Sequence, residues 1–389
     1  MKNIEIKIEK PAFGGDGIGH VEGKACFVEG ALPGETVIAK VLQDKKNFIK
    51  AKTIKVLEAS PFRVEPPCPY YGVCGGCQYQ HVTYEEELRI NESQVREMAV
   101  RLGLAGDLVT PISHSSKDYH YRNSVTLHRS TQKGPQAGSL GFIGSDNKSV
   151  IPIKNCLLVD ERLSPLFQAK FNLKKGTDRV GFKLSHQGEV VSDAEDRFIR
   201  VRIGQAEFLV HSKGFFQNNL AVTKLLTEKV KEWVGAIKPD LFYDLFSGVG
   251  TFSLLSAPDV KKIICVEESK ASIDALRMNV SEQGNTKAEI IQGRAEKVFP
   301  KIFVHGHERA MVCLDPPRQG TERELAEFLR ACESLNSLVY VSCDLATLSR
   351  DLRIILDDGH YEVKEIAPFD MFPRTKHIET AVLLINRTQ

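Results

Sequence analysis

A chain of 389 residues with 42% hydrophobic side chains and a formal charge of +2 is long enough for two or three packed domains, and its net charge argues neither for nor against nucleic acid. No apolar run approaches the roughly 20 residues of a membrane helix, and the opening MKNIEIKIEK alternates like a strand where a signal peptide has an apolar core. A cytoplasmic protein is expected, in which nine cysteines read as metal ligands or catalytic thiols rather than disulfides.

Residues 1–58 hold short alternating apolar runs, NIEIKI, KACFVEG and ETVIAKVL, separated by FGGDGIGH and ALPGE, a pattern that predicts a small β-barrel. The stretch QDKKNFIKAKTIKVL gathers Lys45, Lys46, Lys50, Lys52 and Lys55 around Phe48. An RNA-contacting face and a solvated edge strand guarded by lysines fit these residues equally.

Residues 59–214 open with SPFRVEPPCPYYGVCGGCQYQH and contain one clear helix, starting at Thr83 with Glu86 placed for a capping box and closing at Gly103. Leu88, Val95, Met98, Ala99 and Leu102 fall on one face of it. Strands and turns such as RNSVTLHR and FIRVRIG follow. From residue 215 to 389 strands and helices alternate, with strands predicted over 241–245, 262–267, 288–291, 310–314, 337–342, 361–367 and 379–386. The fold class is therefore α/β: a seven-stranded doubly wound sheet ending in an antiparallel hairpin, preceded by a mostly β central domain and the barrel.

The first strand of that sheet ends in DLFSGVGTF, where Gly248 and Gly250 let backbone approach a ligand and Thr251 opens a helix, without the third glycine of a dinucleotide fingerprint. Glu267, at the end of the second strand, stands where an acid accepts hydrogen bonds from a ribose diol. A nicotinamide dinucleotide and S-adenosylmethionine both satisfy this pair. In VCLDPPRQG, Asp315-Pro316-Pro317 forms a rigid, donor-poor turn at a strand's carboxyl edge, and with the antiparallel end pair it favours a methyltransferase. VYVSCDLATLSRDL ends a buried strand in Ser342 and Cys343 just before a helix. Cys343 thus points into the crevice, where the helix dipole is placed to lower its pKa.

GFFQNN, DLFSGVGTFSL, LDPPRQG, VYVSCDLATLSRDL and DMFPRTKHIETAVLL, with CPYYGVCGGCQ upstream and a TRAM-like N-terminal segment, resemble the S-adenosylmethionine-dependent RNA uridine-5-methyltransferases along the whole chain. The resemblance implies that Gln217, Phe246, Thr251, Glu267 and Asp315 line the S-adenosylmethionine site, that Cys343 is the nucleophile, and that Glu379 is the base. Arg294 falls where a side chain near the adenine is expected, and an arginine matches poorly there. The chemistry needs such a pair. Carbon 5 of uracil is a weak nucleophile until a thiolate adds at carbon 6, and a base must then take the carbon 5 proton. Cys265 and Cys313, inside apolar strands, read as fillers; Cys332 carries no signal, and His377 is a rival base by residue type. RNA cytosine-5-methyltransferases also use a cysteine on this strand, but usually carry a second beside the fourth-strand proline, where this chain has Arg318.

Cys68, Cys74 and Cys77 are spaced C-x5-C-x2-C, with Cys156 downstream in IPIKNCLL. The spacing admits a [4Fe–4S] cluster or zinc alike; the resemblance implies a [4Fe–4S] cluster held by these four cysteines in a structural or RNA-folding role. An iron–sulfur redox enzyme acting on RNA is the alternative, and four cysteines filling every site of a cubane weigh against it. A uracil must be turned out of its stack before a thiolate reaches carbon 6. Phe215, beside Phe216 and Gln217, is the candidate to contact it, and Arg122 to bind phosphate or the base. The chain is expected to act as a monomer on RNA, on 23S rRNA given the TRAM-like barrel with the cysteine motif, or on tRNA. A non-catalytic RNA-binding module is a third reading, against which Cys343 and Glu379 stand together.

Overall fold

Period-two alternation in β1 (Asn3–Lys7) turns Ile4 and Ile6 inward and leaves Asn3, Glu5 and Lys7 exposed. The computed structural model describes residues 2–130, 138–169, 171, 176–306 and 309–387. Five further strands, β2 (Lys10–Pro11), β3 (Gly17–Val21), β4 (Lys24–Glu29), β5 (Thr36–Asp44) and β6 (Phe48–Glu58), complete a sheet of order β1-β5-β6-β4-β3-β2. Its two edge strands, β1 and β2, are one run of chain. The sheet therefore wraps round on itself, enclosing Ile8, Cys26, Val28, Val37 and Ala39. Buried Glu35 accepts from Arg63 at 2.7 Å, fastening the next segment to the barrel.

That segment leads to α1 (Tyr84–Arg101), whose Thr83 N-cap makes no side-chain cap bond. The expected capping box does not form because the Thr83 N–H already donates to the Phe62 carbonyl at 2.9 Å, and Glu86 accepts from Arg89 instead. Val95, Met98 and Ala99 enter the core of the C-terminal sheet, whereas Leu88 is only half-buried. Glu87, Asn91 and Gln94 are buried as well, a polar stripe that hydrophobic periodicity does not reveal. Glu87 finds its partner far along the chain: the Arg374 N–H donates to it at 2.6 Å, and the Arg374 guanidinium lies 3.2 Å away.

The central strands β7 (Ser124–Arg129), β8 (Leu140–Ile143), β9 (Val150–Ile151), β10 (Arg179–Leu184) and β11 (Val190–Ser192) pair in the order β11-β10-β7-β8-β9. A separate hairpin, β12 (Phe198–Ile203) and β13 (Ala206–His211), precedes α2 (Leu220–Ile237).

The C-terminal part runs β14 (Leu241–Leu245), α3 (Thr251–Leu255), β15 (Lys262–Glu267), α4 (Lys270–Glu282), β16 (Ala288–Gln292), α5 (Ala295–Ile302), β17 (Ala310–Leu314), α6 (Arg323–Ala331), β18 (Ser337–Ser342), α7 (Leu345–Ile355), β19 (Tyr361–Phe369) and β20 (Glu379–Asn386). Its order is β16-β15-β14-β17-β18-β20-β19, parallel except for β20, which is antiparallel to both neighbours. This is the doubly wound α/β sheet expected from the sequence. Buried β14, β17 and β18 form its middle, and Asn279 of α4 bonds both main-chain groups of Leu209, docking the β12–β13 hairpin. No helix among the described residues is long and apolar enough to cross a membrane.

Candidate active site

Strand order reverses at β14, which is flanked by β15 on one side and β17 on the other, and such a switch point opens a crevice at the carboxyl ends of the strands. The turn after β14 is tight: Phe246 has φ +62° and Gly250 φ +89°. A Cβ on Gly250 would lie 2.6 Å from Leu276, so the turn needs glycine both for its backbone and for its space. Phe246 holds a left-handed conformation that a bulky residue rarely adopts. The Gly248 and Ser269 N–H groups donate to the Glu267 carboxylate at 2.9 and 2.7 Å, fixing it at the end of β15.

A cleft of about 810 Å³ follows these strand ends. It brings together Gln217, Phe246, Thr251, Glu267 and Asp315, and it also reaches Cys343, Glu379 and Phe215. Gln217 donates to Asp315 at 3.2 Å. Asp315 is pushed up to about 7 by burial and then by the charge of Asp244, itself raised to about 7 by burial. Glu379 is raised by burial and by Asp315. Neither Asp315 nor Glu379 is in a salt bridge among the described residues, and the cleft lining sets Glu267, Glu268, Glu296, Asp315 and Glu379 against Arg294 and Arg318, a deficit of positive charge. A sulfonium with an α-ammonium group fits that deficit. The buried Ser247 hydroxyl, lining the same cleft, also lacks a hydrogen-bond partner.

Burial, then Glu379 and Asp315, push the Cys343 thiol up to about 12, while Arg318 pulls it down. The net shift is upward, although the thiol stands just before α7. Asp344 is the N-cap of α7, and its carboxylate accepts from the Ala346 and Thr347 amides at 3.0 Å. The helix end is thereby satisfied, and Asp344 adds negative charge beside the thiol. His377 is held down at about 4 by burial and by Arg318, Lys376 and Arg122, and it is outside the cleft lining. Cys265 and Cys313 are fully buried strand residues.

Phe215 is 65% exposed at the cleft, whereas Phe216 is buried against Phe208. Lys45 and Lys46 lie on the barrel's surface at the β5–β6 turn, away from the cleft. Lys52 is engaged by Glu29 at 2.7 Å. Arg122 departs from expectation: it lies in a second cavity, of about 430 Å³, with Cys68, Cys74, Cys77 and Cys156. Its backbone pairs with Leu158 and Asp160 just after Cys156, which sets the guanidinium over the thiols instead of the crevice.

Burial, then Cys156 and Cys74, push the Cys77 thiol up to about 12, so the sulfurs are close enough to feel one another's charge. A Cβ on Gly75 would lie 3.0 Å from the Gly144 carbonyl, a close approach that explains one glycine of the CGGC loop. Among the described residues no three of His, Cys, Asp or Glu are gathered tightly enough for a single metal ion. Arg122 has no carboxylate partner among the described residues and faces a donor set that is anionic when its thiols ionise.

Sequence reasoning missed Ser247, Asp244 and the placement of Arg318, which borders both cavities with Asn218. Asp244, inside an apolar strand, was the one visible signal.

Residues 189–387 match the family model described as tRNA (Uracil-5-)-methyltransferase, and residues 2–54 match the TRAM domain. The chain is 31% identical to an uncharacterized RNA methyltransferase of Clostridium acetobutylicum over 98% of this chain and 97% of that one. It is 29% identical to another from Clostridium tetani, covering 95% and 93%. In fold it resembles the Pyrococcus abyssi tRNA (uracil-54, C5)-methyltransferase solved with S-adenosyl-L-homocysteine, with a TM-score of 0.73 at 23% identity over 98% of this chain and 100% of that chain.

Proposed function

The chain belongs to the tRNA (uracil-5-)-methyltransferase family of S-adenosylmethionine-dependent RNA methyltransferases, and on that premise we propose that it methylates carbon 5 of one uridine through a covalent adduct on Cys343. The observation that carries this reading is a single cleft bordered by the Asp315, Cys343 and Glu379 ends of the neighbouring strands β17, β18 and β20.

S-adenosylmethionine supplies an electrophilic methyl and a positive charge. Gln217, Phe246, Thr251, Glu267 and Asp315 hold it, Glu267 with lone pairs left for a ribose diol. Cys343, its proton lost to solvent, adds through sulfur to carbon 6 of uracil, and the electron pair passes to carbon 5. Carbon 5, made electron-rich in this way, would accept the methyl that bound S-adenosylmethionine supplies, with S-adenosylhomocysteine as the leaving group. Glu379 then removes the carbon 5 proton, the 5,6 double bond re-forms, and the Cys343 thiolate leaves. Phe215 contacts the extruded base, and Lys45 and Lys46 of the TRAM domain meet the RNA backbone.

Cys68, Cys74, Cys77 and Cys156 hold a [4Fe–4S] cluster in this reading, with Arg122 offsetting its charge. Zinc is the second reading of the same four cysteines, which line a cavity of about 430 Å³ together with the half-buried Arg122. The cluster's role is structural. The substrate is 23S rRNA, with tRNA the second reading, favoured by the family's description. A cytoplasmic monomer is part of this reading. Mass-spectrometric mapping of 5-methyluridine in rRNA and tRNA from a deletion strain tests the assignment, and a strain with every such uridine still modified would overturn it.

A further inference from the structure

We propose that Gln78 is a positioning residue for Glu379, coupling the cysteine segment to the loop that carries the base; this rests on the roles given above to Cys343 and Glu379. Gln78 directly follows Cys77. Its N–H and that of Tyr79 both donate to the Arg374 carbonyl, at 2.9 and 3.2 Å. Its side chain forms a bridge: Nε2 donates to the Gly75 carbonyl, between Cys74 and Cys77, at 3.1 Å, and Oε1 accepts the Lys376 N–H at 3.0 Å. Lys376 lies three residues before Glu379.

The loop from 370 to 378 joins β19 to β20 and does not hold its shape alone. Arg374 sits at φ +68°, a left-handed conformation unfavourable to arginine, and its carbonyl, N–H and guanidinium are fixed by residues of the cysteine segment and α1. Gln78 is itself pinned. The Tyr71 hydroxyl donates to its carbonyl at 2.7 Å, and the barrel turn at Gly15 presses so close that a Cβ there would lie 2.7 Å from the Gln78 Cβ. Barrel, cysteine segment and base loop therefore meet at one side chain, whose Oε1 is the last outside contact before the backbone reaches the buried Ile378 and Glu379.

Gln78→Met keeps the length and removes both side-chain bonds, whereas Gln78→Glu keeps the acceptor for Lys376. With a transcript carrying the mapped uridine, Gln78→Met should bind metal and S-adenosylmethionine and form the covalent adduct as wild type does. Elimination should slow about fivefold, the worth of one hydrogen bond, so methylated adduct accumulates. Gln78→Glu should recover most of the rate. Wild-type elimination by Gln78→Met, or an equal loss in metal content and adduct formation, would overturn the inference. Glu379→Gln run alongside separates the two levels: if it traps no adduct the base assignment fails, and if it traps adduct while Gln78→Met does not, only the role of Gln78 fails.

Discussion

Cys343 and Glu379 face one another across antiparallel strands, for β18 and β20 pair Ser342 with Thr380 and each of the two lies one step further along. Adjacent strands thus deliver a thiol and a carboxyl to one cleft without any loop spanning between them. The two groups also oppose each other electrostatically, since Glu379 raises the thiol's pKa.

That pairing makes the two substitutions separable. Cys343→Ala should abolish methylation and every covalent species while RNA and S-adenosylmethionine still bind. Glu379→Gln should permit addition and methyl transfer but stall elimination, leaving a methylated RNA–protein adduct as a slow band on a denaturing gel. RNA carrying 5-fluorouridine should trap the unaltered enzyme in the same way. An adduct surviving Cys343→Ala would move the nucleophile elsewhere.

Proton linkage should accompany cofactor binding. Asp315, raised to about 7, and Glu379, also raised, hold protons in the empty cleft, and a sulfonium favours their ionised forms. Binding of S-adenosylmethionine should release protons near pH 7, and its affinity should climb as pH rises through 7. S-adenosylhomocysteine, lacking the sulfonium, should release fewer. The sign for stability follows: carboxyls with raised folded pKa values stabilise the cofactor-free protein fully below about pH 4, and that contribution is lost as pH rises through 7. Calorimetry in two buffers of different ionisation enthalpy measures the release, and equal heats in both would contradict it.

Anaerobically purified protein should be brown and carry about four irons per chain. Cys74→Ser should remove most of the colour, and activity of the intact enzyme should need no electron donor. Stoichiometric zinc without iron would refute the cluster.

The barrel's contribution to RNA binding is electrostatic. Replacing Lys45, Lys46 and Lys50 by Ala should flatten the salt dependence of RNA affinity by roughly 0.7 log units per lost single-strand phosphate contact. Affinity for S-adenosylmethionine should not change. Lys52, tied to Glu29, should matter less; an unaltered slope would make this face an ordinary solvated edge.

The middle strands of the C-terminal sheet were legible as short apolar runs, and β14, β15, β17, β18 and β20 span the very ranges read from the sequence. The helix α1 was legible in extent but not in burial. Apolar periodicity marks none of Glu87, Asn91 and Gln94 for burial, whereas Glu87 is buried through a bond to Arg374, a partner 287 residues away that no local pattern encodes. Arg122 was misplaced for a related reason, since its surroundings are set by a long-range pairing with residues 158–160. The place of Cys343 at the crevice was visible from its strand end, but its raised pKa was not, because that depends on carboxyls brought up by two other strands.

The last two strands enter the sheet in reverse, with β20 against β18 and β19 outside it. Among the described strands β19 pairs with β20 alone and reaches the rest of the sheet only through it. The carboxyl of Glu379 thus stands at the start of the strand that joins β19 to the sheet. In the proposed reaction Glu379 would be the one reacting side chain that this inserted strand supplies, so a loosened hairpin would leave a thiol able to add to uracil without the carboxyl that releases it.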